Sequence, residues 1–102
     1  MSATELEAVQ AKATEAEQTV EADSGASPVL AAVVRDFSAK ATKAVKLAAE
    51  DRQWEAVIEL EQAGDSSKAA AEADTGASEA TKATVLDAHP AICMLKANLA
   101  KA

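Results

Sequence analysis

Apolar residues recur along this chain at alternating steps of three and four, the spacing of one helical face. Between 5 and 21 they fall at Leu6, Val9, Ala13, Ala16 and Val20. Between 29 and 45 they fall at Leu30, Val34, Phe37, Ala41 and Ala44. Both series are heptad seams. They predict two amphipathic helices, and a similar pattern in the second half predicts two more. The expected helices are roughly 4–22, 28–50, 53–73 and 79–101.

The first and third gaps between them carry nearly the same heptapeptide. Residues 21–27 read EADSGAS and residues 72–78 read EADTGAS. Each reads as a helix end, a turn and a helix start. Gly25 and Gly76 are suited to a left-handed closing position. Ser27 and Ser78 are suited to accept a hydrogen bond from a free N–H of the next helix. Pro28 falls at a first helical position, where its missing N–H costs nothing. Ser2 with Glu5 and Thr4 with Glu7 spell capping boxes at the start of the first helix. The link at 50–53 holds neither Gly nor Pro, so one long helix across it is the alternative.

The predicted fold is all-α: an antiparallel four-helix bundle of two αα-hairpins in a single domain, 1–102, with hairpin one at 1–51 and hairpin two at 52–102. Folding the first hairpin at Gly25 sets Val20 against Leu30, Ala16 against Val34, Ala13 against Phe37, Val9 against Ala41 and Leu6 against Ala44. Most levels then pair a large residue with an Ala, which fills a thin interface. In hairpin two, Leu60 meets Ile92 and Val57 meets Leu95, with Trp54 near Leu99. Toward the turn that seam becomes small and polar through Ser67, Ala71, Thr81 and Val85. Gly64-Asp65 and His89-Pro90 fall at one level, and both dipeptides favour helix breaks. Hairpin two is therefore expected to be kinked near Gly64 and Pro90, with shorter pieces on each side.

Composition narrows the picture further. The chain is 49% hydrophobic, but roughly a quarter of it is Ala, and aromatics are one Phe and one Trp. Helix propensity is high and the core is thin. Net charge is −7, which disfavours nucleic acid and anionic membrane surfaces as partners. The quarters of the chain carry about −5, +1, −4 and +1, so acidic helices alternate with mildly basic ones. Lys40, Lys43 and Lys46 form a basic stripe expected to face the first helix. One Cys permits no internal disulfide, which fits the cytoplasm or another reducing compartment. MSATELEAVQ lacks the layout of a signal peptide, and no apolar run reaches transmembrane length.

Candidate chemistry is sparse. His89 is the only His. It is read as a phosphoacceptor, as an axial ligand to haem or chlorophyll, or as a base paired with Asp65, against a polar residue at a kink. Cys93 is read as a thiol of lowered pKa near a helix N-terminus, against a small core residue; the core reading is preferred, since no paired base is evident in the sequence. No metal-binding spacing, phosphate loop or nucleophile elbow is present, so neither a cofactor nor an enzymatic activity is expected. Val29, Leu30 and Val33 leave little polar face at the start of the second helix. With Trp54, for which a plug at the open end of the bundle is the preferred reading, they are the candidate partner-binding residues. The leading expectation is a structural or protein-binding bundle, an accessory subunit or adaptor. The rivals are a cofactor- or pigment-binding bundle with His89 as axial ligand, a stress-type conditionally helical chain, and an acidic decoy for a nucleic-acid-binding site.

Overall fold

A computed structural model of the chain describes residues 3–49 and 52–101, with side chains described for 5–47, 52 and 54–97. Four helices account for nearly all of it: α1 (Ala3–Ala22), α2 (Pro28–Ala49), α3 (Gln53–Ala73) and α4 (Glu79–Lys101). The boundaries match those predicted from the seams to within a residue. Ser2 and the Thr4 side chain, assigned to capping boxes, lie outside the described residues.

Each helix packs on two neighbours: α1 on α2 and α4, and α3 on α2 and α4. Polar contacts fix the directions. On α1 and α2, Glu21 reaches Arg35 and Gln10 reaches Thr42. On α3 and α4, Asp65 reaches His89 and Glu61 reaches Lys96. As one number rises the other falls, so these neighbours run antiparallel. Helix α2 does not continue into α3. Arg52 is non-helical, with φ −111° and ψ 44°, and its N–H bonds the carbonyl of Leu47 at 2.9 Å. Arg52 supplies no side-chain cap; its guanidinium holds Glu55 instead.

Every residue of the two predicted seams in α1 and α2 is buried, as are Val57, Leu60, Ser67, Ala71, Thr81, Val85, Ile92 and Leu95. The core divides into two clusters. One holds Leu6, Val9, Ala13, Phe37 and Ala41 with Val57, Leu60, Ile92 and Leu95. The other, at the end where both heptapeptides lie, holds Ala16, Val20, Leu30 and Val34 with Ala71, Ala77 and Val85. Ser67 is fully buried and satisfies its hydroxyl by donating to the Val33 carbonyl at 3.3 Å. Among the described residues, no buried side-chain N or O lacks a partner.

Three expectations need correction. Hairpin two is not broken into shorter pieces: α3 runs unbroken through Gly64 and α4 through Pro90. Gly64 is buried, and its missing side chain makes room for a neighbour. A Cβ placed there would sit 2.6 Å from Ile92 Cδ1 and 3.8 Å from the Phe37 ring. Pro90 sits on the exposed face while Ala88 and Ile92 beside it are buried, so packing on the inner face holds α4 together across the missing N–H. One residue of the basic stripe is also displaced: Lys43 pairs with Glu59 of α3, not with α1. Finally, Trp54 does not plug the open end but stands half exposed. The Leu99 side chain lies outside the described residues.

Candidate functional site

The two heptapeptides meet. They lie side by side at one end of the bundle and exchange hydrogen bonds through their aspartates. Asp74 Oδ2 accepts from the Ser27 N–H at 2.9 Å, and Oδ1 accepts from Gly76 and Ala77 N–H at 2.8 and 2.9 Å. Asp23 mirrors this. Its Oδ2 accepts from the Ser78 N–H at 2.9 Å and the Thr81 hydroxyl at 2.7 Å, and its Oδ1 accepts from Gly25 N–H at 2.9 Å. Each aspartate thus ends one helix and caps the first turn of a helix in the other half. Ser27 and Ser78 act as predicted, accepting from the N–H of Leu30 and Thr81, each at 3.2 Å.

The glycines serve a purpose other than the one read from sequence. Neither Gly25 nor Gly76 takes a left-handed backbone. A Cβ on Gly25 would collide with the carbonyl of Gly76, and a Cβ on Gly76 with the carbonyl of Gly25. Only glycine permits so close an approach of two main chains. The donors also fix the ionisation of the aspartates. Backbone N–H groups of Ser27, Ala77 and Gly76 hold the Asp74 carboxyl far below its ordinary value. The Ser78 N–H, then the Thr81 hydroxyl and Gly25 N–H, lower that of Asp23. Each carboxylate thus accepts three hydrogen bonds within this clasp.

A second cluster lies midway along the α3–α4 face. His89 Nε2 is 2.6 Å from Asp65 Oδ1, and His89 Nδ1 is 3.6 Å from Cys93 Sγ. The level-matching of Gly64-Asp65 with His89-Pro90 therefore holds, and it brings Asp65 and His89 together as a side-chain pair. Cys93 is exposed, not a core residue. Its base was missed in the sequence, although the i, i+4 spacing of His89 and Cys93 on one helix was the signal for it. Asp65 and Cys93 occupy opposite nitrogens of the imidazole, so the three side chains form a line and do not converge. Among the described residues, no group of three His, Cys, Asp or Glu is arranged to hold a metal ion. Axial ligation of a cofactor by Nε2 would require His89 to give up Asp65.

The predicted partner-binding residues separate. Val29 is exposed at the start of α2, and Trp54 is 51% exposed in the first turn of α3. Val33 is partly buried against the turn-end cluster. Leu30 is fully buried in the core and offers nothing to a partner. Sequence reasoning passed over Met94, which is 68% exposed. It borders a groove of about 200 Å³ between α1 and α4, lined also by Glu5, Ala8, Val9, Ala91 and Leu95. Among the described residues, no helix is long and apolar enough to cross a membrane. Compared with protein-family models, curated proteins and solved structures, the chain matches none.

Proposed function

We propose that this protein is a small structural or protein-binding bundle, an accessory subunit or adaptor of a larger assembly, and not an enzyme. The observation that carries the proposal is the position of Trp54. The core is thin and holds a single aromatic, Phe37. A chain with so few large apolar side chains nonetheless leaves its only Trp half exposed. Trp at a protein surface is a frequent anchor of binding energy, because it gives a large contact area at low entropic cost. Met94 beside its groove adds an adaptable apolar contact on another face. The acidic surface favours a partner of opposite charge over nucleic acid, and an exposed unpaired thiol suits a reducing compartment.

The test is comparative capture and self-association. Wild type and the Trp54→Ser and Met94→Ser variants are used as bait in lysate, with their solution mass measured by light scattering. A partner, or a second copy, that binds wild type and is lost from a variant of unchanged thermal stability supports the proposal. Identical binding by all three proteins contradicts it.

A further inference from the structure

We propose that Cys93 is a reactive nucleophilic thiol, with His89 as its proton acceptor and Asp65 as the residue that positions His89, and that it exchanges with small organic disulfides. The geometry has the three parts that nucleophile activation needs: a nucleophile, a base within reach, and a group that orients the base. Asp65 as a carboxylate only accepts hydrogen bonds, so at 2.6 Å it holds the proton of the neutral imidazole on Nε2. That leaves the Nδ1 lone pair facing the Cys93 S–H at 3.6 Å. The two α4 residues stand one turn apart on one face, and Asp65 reaches them from α3. Cys93 itself is open to solvent.

The surroundings select the class of electrophile. Acyl transfer needs backbone or side-chain donors aimed at a developing oxyanion. Cys93 lies inside α4, where main-chain N–H groups are committed to the helix. The group that Pro90 frees is an acceptor: the Leu86 carbonyl loses its helical donor because proline has no N–H. Such a place cannot stabilise an oxyanion. Thiol–disulfide exchange needs no such donor, because the charge departs on the leaving sulfur. The S–H proton passes to His89 Nδ1, and Cys93 sulfur attacks one sulfur of R–S–S–R. The Cys93–S–S–R bond forms as the original S–S bond breaks. Cys93 is oxidised, the departing sulfur is reduced, and its thiolate takes the proton from the imidazolium to leave as R–SH.

The probe is 4,4′-dithiodipyridine, an uncharged disulfide that the net charge of −7 does not repel. Its second-order rate is followed by the absorbance of released thiopyridone. His89→Gln should lower that rate by about tenfold, below the full general-base range because the site is open to water. Asp65→Asn should lower it by a smaller factor that still exceeds about twofold, and the double variant should fall no further than His89→Gln, since Asp65 acts only through the imidazole. Imidazole nitrogen shifts should report the Nε2–H tautomer in wild type and a mixture in Asp65→Asn. If His89→Gln changes the thermal melt, the exposed Asp65→Asn variant decides alone. A rate within twofold of wild type in a variant of unchanged melt overturns the proposal, as does a wild-type imidazole with no tautomer preference.

Discussion

Gly64 shows how a single position is read differently at short and long range. Followed by Asp-Ser-Ser it looks like a stop, yet it lies inside α3 with Ile92 Cδ1 only 2.6 Å from where its Cβ would be. Gly64→Ala gains roughly 1 kcal/mol of helix propensity but must displace Ile92. Net destabilisation is expected in urea titration. Ile92→Val alone should cost about 0.5–1.5 kcal/mol. The double variant should be more stable than the sum of the two, because the valine lacks the colliding methyl. Strict additivity would show that the space is not shared. Phe37→Ala should cost about 3–5 kcal/mol, and Ala13→Leu about 1–3 kcal/mol through overpacking. Their combination should recover part of the loss. The seam positions were legible residue by residue, because a period of three and four directly marks a buried face. Gly64 and Cys93 were not: what decides them sits on Ile92 and Asp65, or on a side chain one turn away.

Among the elements, α4 carries the clearest conflict between local preference and packing. Pro90 stands in its interior and still the helix is continuous. Pro90→Ala restores a donor for the Leu86 carbonyl and should raise stability, by as much as about 3 kcal/mol. A loss of stability in chemical denaturation would mean that α4 depends on the ring. The turns make the opposite prediction. Gly25→Ala and Gly76→Ala must each push one main chain off the other, so both should lower the melting temperature, although alanine reduces the entropy of the unfolded chain. The helix boundaries were legible because Ser-Pro and Gly-Ala-Ser are local signals. The partners of the helix surfaces were only partly so. Lys43 was assigned to α1 by net charge, but it pairs with Glu59 because α2 presents that face to α3.

At the scale of the whole molecule, the repeat closes the bundle. Four helices span an elongated body of 41 × 21 × 18 Å, and one end is tied by a reciprocal pair of aspartate caps between residues about 50 positions apart. Its pH dependence follows from the lowered carboxyls. Both Asp23 and Asp74 are depressed below the ordinary value of 3.8. Their contribution is complete above that value and is lost as pH falls below it toward the folded-state values. The melting temperature should therefore drop on acidification below about pH 4, and Asp74→Ala should flatten that drop. The existence of two turns was visible in the sequence, and their meeting was not, since each heptapeptide explains itself as a self-contained turn. The most direct test is amide hydrogen exchange at Ser27 and Ser78, residue by residue. In Asp74→Ala, exchange should accelerate at Gly76 and Ala77 and, across the clasp, at Ser27; in Asp23→Ala it should accelerate at Ser78. Acceleration confined to the turn that carries the substitution, with the opposite serine unchanged, would contradict the clasp.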